Sequence, residues 1–309
     1  MLDISIILLN YKNPQLTINC INSILKSKAQ VTYEVIVIDN HSEDESLECI
    51  KKAFPTIVVK DSQKNGGFAY GNNIGVRLAY GKYLLLLNND TEIKENMLDI
   101  LYEYAERNPQ VGMIGCRALD GNGRELPVAH TYETLRRIML QLYIKPILER
   151  LGLQRKIVSL FRHRDGMKNE FTPAEWIAGS ALFIRKDLYC NVGGLDENFF
   201  MYMEDEDLGH RVNDAGYTVG IVNKIGYTHF CGGSTIESYF LTKEYIKSRL
   251  IYFKRYEPEN FSNIKKALFS QIRVVNSSLT KSEIKKMKRE LEIFINDDLQ
   301  SKINQIVGV

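Results

Sequence analysis

Leu84-Leu85-Leu86-Leu87-Asn88-Asn89-Asp90 is an uninterrupted apolar run that stops abruptly on two amides and a carboxylate. A strand that reads apolar at every position, not at every second one, is covered on both faces, as in a parallel sheet sandwiched by helices. The same reading applies upstream. Ile4-Ser5-Ile6-Ile7-Leu8-Leu9 and Glu34-Val35-Ile36-Val37-Ile38-Asp39 are two more such strands, and Ile57-Val58-Val59 is a third. Helices fall between them. Pro14 opens one that runs to about Ser27, with proline in a tolerated first-turn position. Ser42 with Glu45 has the pattern of a capping box for a helix to about Ala53. Asn65 to Asn73 reads as a Gly/Asn-rich loop entering a helix that ends near Gly81, and Lys94 to Asn108 as a further helix.

In sheets of this kind ligands bind beyond the carboxyl ends of the strands. Those ends carry Asn10-Tyr11, Asp39-Asn40, Asn65-Gly66-Gly67 and Asn88-Asn89-Asp90, all polar or glycine-rich. A second polar site lies downstream. Phe199-Phe200-Met201-Tyr202-Met203 leads into Glu204-Asp205-Glu206-Asp207 at a helix start, and the helix is stopped at Gly216. Four carboxylates that close need a cation, a proton or a polyol among them. An acidic first turn is also simply a good helix start. Likewise, Asp90 suits Mg²⁺ or Mn²⁺ whose other positions take phosphate and water, or it caps the next helix. Glycines at 66, 67 and 71 suit close approach to a phosphate, or a tight turn. The stretch is neither a GxGxxG fingerprint after the first strand nor a P-loop. His229, by itself, is equally a packed histidine.

Composition narrows the class. The chain has 309 residues, 44% hydrophobic and 25% charged, enough for one large α/β domain with an appendage, or for two domains. A net charge of +2 argues against a dedicated nucleic-acid binder. Cys20, Cys49, Cys116, Cys190 and Cys231 form no CxxC pair, which suits reduced thiols in a cytoplasmic protein. No apolar run is long enough to span a bilayer, and no secretion signal is expected. From about 131 to 170, Arg136, Arg137, Lys145, Arg150, Arg155, Lys156, Arg162, Arg164 and Lys168 accumulate among apolar residues, a basic amphipathic insertion. After Gly232-Gly233 the chain turns helical and basic: Tyr239 to Tyr256, Asn263 to Ser278, Ser282 to Ile295. Both basic regions are solvated faces or contacts for an anionic membrane surface. The tail positions Leu291, Ile293, Ile295, Leu299, Ile303, Ile306 and Val307 could form a dimer face.

Taken in order, the strand and loop from Ser5 to Asn13, Val37-Ile38-Asp39-Asn40, Asn65-Gly66-Gly67-Phe68, Leu87-Asn88-Asn89-Asp90-Thr91, Trp176-Ile177-Ala178-Gly179-Ser180, Gly193-Gly194-Leu195-Asp196-Glu197, Glu204-Asp205 and His229 resemble glycosyltransferase family 2. The phrase Phe199-Phe200-Met201-Tyr202 before Glu204-Asp205 resembles its bacterial rhamnosyltransferase-like branch. The resemblance covers roughly 1–235. It implies an α/β GT-A nucleotide-sugar fold over 1–235, a nucleotide-binding half (1–115), an acceptor-binding half (116–235) and a helical C-terminal region (236–309). It also implies a divalent metal and inversion at the anomeric carbon.

Carried over by position, Asp39 accepts from the base, Asn10 and Tyr11 line the nucleotide pocket, and Asn40, Asn65, Gly67 and Asn73 shape its wall. Asn88-Asn89-Asp90 replaces the family's DXD, so Asp90 is the retained metal ligand, with Asn88 and Asn89 beside the nucleotide and His229 as second ligand or as a contact for the diphosphate. Asp205 matches the catalytic base. Glu204, Trp176, Gly179 and Ser180 are assigned to the acceptor. The implied donor is dTDP-rhamnose, with UDP-hexose as the alternative. The acceptor is a saccharide or lipid-linked saccharide in surface polysaccharide synthesis, met in the cytoplasm or on the cytoplasmic face of the membrane. A sugar nucleotidyltransferase would need a basic Gly-rich loop where Asn10-Tyr11-Lys12-Asn13 stands. A non-catalytic carbohydrate-binding scaffold would have no reason to keep Asp90, Asp205 and His229 together.

Overall fold

The strands read as doubly covered are the centre of the molecule. In the computed structural model, which describes residues 2–144, 147, 169–230 and 238–307, Ile4, Ile6, Ile7 and Leu8 of β1 (Leu2–Asn10) are fully buried. So are Ile36 to Ile38 of β2 (Tyr33–Asp39) and Leu84 to Leu86 of β4 (Gly81–Asn88). With β3 (Val58–Asp61) they form a parallel array ordered β3-β2-β1-β4. The helices α1 (Pro14–Lys26), α2 (Ser46–Ala53) and α3 (Gly67–Leu78) are its crossovers. The expected α/β GT-A architecture is the one observed.

Beyond β4 the sheet is mixed. β11 (Ala181–Arg185) is antiparallel to β4 on one side and to β6 (Val111–Leu119) on the other. β12 (Thr218–His229) then runs parallel to β6 and antiparallel to the short β5 (Thr91–Ile93) and β9 (Phe171–Ala174). β7 (Glu125–Leu126) adds to β6, and β8 (Ala129–His130) pairs separately with β10 (Trp176–Ile177). Between these lie α4 (Met97–Arg107), α6 (Lys186–Asn191) and α7 (Glu204–Asp214).

Three local expectations are corrected. Ser42 does not cap a helix. Its backbone N–H and hydroxyl both bond the Asp39 carboxylate, and His41 and Glu43 are left-handed (φ 58° and 56°), so α2 starts only at Ser46. Residues after Asp90 do not enter a helix directly. Thr91–Ile93 is a strand, and α4 waits until Met97. The glycines of the 65–75 stretch lie mostly inside α3, not in a loop. A Cβ on Gly71 would come within 2.7 Å of Leu9, and one on Gly75 within 2.5 Å of Ile7. These two glycines let α3 lie flat on β1, so they serve packing, not phosphate.

The described residues divide into two compact units. The sheet unit ends at Tyr132 and resumes for 169–230. The other holds α5 (Leu135–Met139) with its π-helical continuation Leu140–Ile144, α8 (Ser238–Tyr256), α9 (Phe261–Val275) and α10 (Lys281–Val307). Ile246, Leu250, Phe253, Ile264, Leu268 and Met287 form its core. Leu291 and Ile295 belong to that core as well, so of the tail positions expected on a dimer face only Ile293, 52% exposed, is open among those described. The buried Arg249 guanidinium is forked onto Glu133 at 2.7 and 2.9 Å and also reaches Gln271, which ties α8 to the segment before α5. Of the basic insertion, only Arg136 and Arg137 fall among the described residues; Lys145 and the charges from Arg150 to Lys168 lie outside them. Among the described residues no helix is long and apolar enough to cross a membrane, and the described cysteines are free thiols.

Candidate active site

The carboxyl ends of β1, β2 and β4 are joined by a continuous chain of side-chain hydrogen bonds. Asn89 donates to the Thr17 hydroxyl at 3.0 Å, Thr17 to Asn10 at 2.8 Å, and Asn10 to Asp39 at 2.7 Å. Ser42 closes it onto Asp39 with two bonds, at 2.7 and 2.8 Å. A carboxylate has about four lone-pair sites. Three are occupied at Asp39, leaving room for one further donor. Sequence reasoning assigned Asn10, Asp39 and Asn89 but missed Thr17, which sits on α1 without any motif to mark it.

Asn40 holds the next segment. Its amide donates to the Asn65 side chain at 2.9 Å and to the Gly67 carbonyl at 3.2 Å. Gly67 has φ +84°, and a Cβ there would stand 1.9 Å from the Phe200 carbonyl, so only glycine fits. That carbonyl accepts the Phe68 N–H at 2.8 Å. The approach to α7 is thus docked on the start of α3. Asn73 is not in this group. Its amide donates to the Leu195 carbonyl and to Glu197, and its oxygen accepts from Tyr189, so it braces the 195–197 loop. Tyr11 is half-buried at the end of β1, with the Lys12 ammonium 5.4 Å from its ring centre.

The two acidic regions meet at one dipeptide. The Asn88 N–H donates to the Ser180 carbonyl at 3.0 Å, while the Gly179 N–H donates to Asp205 Oδ2 at 2.9 Å. Ser180 Oγ lies 2.5 Å from the Tyr227 hydroxyl of β12, two residues before His229. A methyl on Gly179 would touch both Asp205 and Phe68 at about 3.6 and 3.5 Å, which places the start of α3 at the same spot. Trp176 stands behind α7. Gly209 packs on its backbone, its ring stacks on His130 with centroids 4.3 Å apart, and its N–H donates to the Thr131 carbonyl.

Asp90 and His229 are partners. β5 and β12 pair with His229 opposite Thr91, and this brings Asp90 Oδ1 to 3.0 Å from His229 Nε2. The Phe230 N–H donates to the Asp90 carbonyl at 2.9 Å and fixes the turn. Adjacent ligands of an octahedral Mg²⁺ or Mn²⁺ at about 2.1 Å are about 3 Å apart, so both atoms fit the coordination sphere of one cation. One carboxylate and one imidazole leave most positions for other oxygens. Among the described residues no third His, Cys, Asp or Glu joins them. A cavity of about 310 Å³ opens beside Asp90 between this turn and α1, lined by Asn22, Lys26, Glu92 and Phe230 among others.

The carboxylates of α7 have separate environments. Asp207 is fully buried and receives two bonds from Arg211, at 2.7 and 2.9 Å. Arg211 in turn donates to the Val192 and Gly194 carbonyls, each at 2.6 Å, so this pair braces the helix. Asp205 accepts from Gly179 and, through Oδ1, from the Glu206 N–H at 2.9 Å. Burial raises its pKa, and these N–H donors oppose the rise. Glu204 is 6% exposed. Burial, and then the neighbouring Asp205 charge, push its pKa well above the carboxylate range.

The profile of the family described as Glycosyl transferase family 2 matches residues 5–189. The chain is 26% identical over 214 residues to an N-acetylglucosaminyl-diphospho-decaprenol L-rhamnosyltransferase of Mycobacterium tuberculosis, covering 65% of this chain and 67% of that protein. It is 26% identical over 235 residues to the rhamnosyltransferase WbbL of Escherichia coli K12, covering 72% and 83%. It is 33% identical over 133 residues to the poly(ribitol-phosphate) beta-N-acetylglucosaminyltransferase TarP of Staphylococcus aureus, covering 42% and 41%. The fold is similar to the crystal structure of S. aureus TarS residues 1–349, with a TM-score of 0.52, 13% identity, and coverage of 96% and 92%.

Proposed function

The chain belongs to glycosyltransferase family 2, and from that membership we propose that it transfers a sugar from a nucleoside-diphosphate donor to an acceptor hydroxyl with inversion, using Asp205 as base. The observation that carries this reading is the convergence of Asp205 and the Asn88–Asp90 turn on Gly179-Ser180. The nucleotide lies over the ends of β1, β2 and β4, where Asp39 retains one acceptor position for a base N–H. The acceptor enters beside Gly179, Ser180 and the start of α7, with Trp176 behind that helix. Asp205 removes the proton from its hydroxyl as that oxygen bonds the anomeric carbon. The bond from that carbon to the diphosphate breaks, and the nucleoside diphosphate leaves. One carboxylate suffices on the acceptor side. Asp90 and His229 hold a divalent cation, which when bound neutralises charge on the leaving diphosphate.

The sugar is rhamnose and the donor dTDP-rhamnose, a reading supported by likeness to two proteins named as rhamnosyltransferases. The acceptor is a saccharide or lipid-linked saccharide of a bacterial surface polymer, met at the cytoplasmic face of the membrane, where basic residues beside apolar ones favour an anionic surface. A UDP-hexose donor is the second reading. It is favoured by the higher identity to an N-acetylglucosaminyltransferase over a shorter segment. A thermal-shift comparison of nucleotide sugars, each with and without Mn²⁺, separates the two. Stabilisation by dTDP-rhamnose above UDP-hexoses supports the first, and the reverse order overturns it.

A further inference from the structure

Glu204 and Asp205 are consecutive, yet the fold treats them in opposite ways. Asp205 is half-buried and its two oxygens each accept a backbone N–H. Glu204 is buried, and its Oε2 has no hydrogen-bond partner. The chain also spends conformational energy to put it there. Tyr202 and Met203, neither of them glycine, both adopt left-handed backbone (φ 70° and 73°) immediately before it. Two successive residues of this kind cost of order 1–3 kcal/mol each and persist only where the surroundings hold them. Here the Gly67–Phe200 and Phe68–Phe200 contacts do so.

Among the described residues, the charges acting on Glu204 are of one sign. Asp205 and Asp207 are the neighbouring charges, Tyr202 is the neighbouring phenol, and its own backbone N–H is the one favourable dipole. The nearby cation, Arg211, is committed to Asp207 and to two carbonyls. An ionised carboxylate left in such a place would bear the full desolvation penalty. A neutral one has an O–H to give, and an orphaned buried oxygen beside the base is where it would give it. When two adjacent titratable groups sit in environments this different, they take different protonation states and different tasks.

We propose that Glu204 works as a neutral carboxylic acid that donates its O–H to a non-reacting oxygen of the acceptor sugar, orienting the neighbouring hydroxyl toward Asp205. This rests on the glycosyl-transfer reading and refines it: Glu204 is a second donor to the acceptor and never a second base. The pair then selects acceptors that offer an oxygen next to the reacting hydroxyl, as a vicinal diol of a pyranose does. A site built to hydrogen-bond such a group rejects analogues lacking it, because its own buried group is left unpaired.

The test has two arms. In the first, infrared difference spectra of the substrate-free protein are titrated from acid to alkaline pH. A protonated-carboxyl C=O band persisting at neutral pH is expected in wild type and in Asp205→Asn, and absent in Glu204→Gln. A band that instead follows Asp205, or no band at all, overturns the proposal. In the second, transfer is measured against pH for wild type, Glu204→Gln and Glu204→Ala. The amide still donates, so Glu204→Gln is expected to lose roughly threefold and Glu204→Ala about 10–100-fold. Wild-type kcat/KM is expected to fall at alkaline pH as Glu204 ionises, and Glu204→Gln to lack that limb. Equal losses in the two variants, or superimposable pH profiles, overturn the donor role. If no form transfers while the band still follows Glu204, the transfer reading and the acceptor contact fail together, and the neutral buried acid stands.

Discussion

The turn Asn88–Asp90 and the helix start Glu204–Asp207 both abut Gly179-Ser180, but they carry their acids in different ways. Asp90 is partnered by an imidazole 3.0 Å away on the neighbouring strand and lies beside an open cavity. Among the described residues Glu204 and Asp205 have no such counter-charge; Asp205 leans on two backbone N–H groups and Glu204 on none beyond its own. The first arrangement offers a charge and an imidazole nitrogen together, which suits a cation. The second withholds charge, which suits proton traffic. Two acidic motifs of similar composition are thus told apart by their partners.

The comparison breaks most directly at Asp205. Asp205→Asn is expected to lower transfer by about 10³–10⁴-fold, in line with loss of a general base, while calorimetry shows donor affinity changed by less than about threefold. Robust transfer by this variant would move the base elsewhere. At the other end, chelation by EDTA or Asp90→Ala is expected to cost roughly 10²–10³-fold, with Mn²⁺ restoring the chelated wild type but not the variant. Full activity in chelator would make Asp90–His229 a purely structural pair.

A third change sharpens the contrast within α7 itself. Arg211→Ala strands the buried Asp207 and releases the Val192 and Gly194 carbonyls. It is expected to cost about 3 kcal/mol in urea unfolding. A loss below about 1 kcal/mol would mean that water replaces the guanidinium. The smallest effect is in pH. Because burial raises Asp205, kcat/KM should fall on acidification, roughly tenfold per unit, from a higher pH than an ordinary aspartate gives. The stability term has the same origin. The folded state binds the Glu204 proton more tightly than the unfolded chain does. That contribution is fully present below the ordinary glutamate pKa and is lost as pH rises through the raised folded value. The same pH dependence of the melting temperature in wild type and Glu204→Gln would contradict it.

The parallel half of the sheet was legible because Ile4, Ile36 and Leu85 sit in runs whose every residue is covered, a signal that needs no tertiary knowledge. The polar strand ends were legible for the same reason: Asp39 and Asp90 interrupt apolar sequence. Ser42 misled, since a serine three residues before a glutamate caps a helix unless a nearer carboxylate takes its hydroxyl, as Asp39 does. Asn73 carries no sign of its attachment to Leu195 and Tyr189, which are distant in sequence. β5 is only three residues long, and its pairing with β12 is what gives His229 its partner. Such a pairing follows from chain topology, not from local propensity.

One consequence concerns the order in which the molecule can be made. β4 and β6 precede β11 in the chain, yet β11 lies between them in the sheet. Until synthesis passes Arg185, β4, with its run of four leucines, has an unpaired backbone edge, a template for pairing with another nascent chain. The strands before β11 therefore cannot complete their sheet on the ribosome ahead of it. A C-terminal truncation before β11 should yield aggregates in place of a smaller folded domain, since a strand made late in synthesis lies at the middle of the sheet.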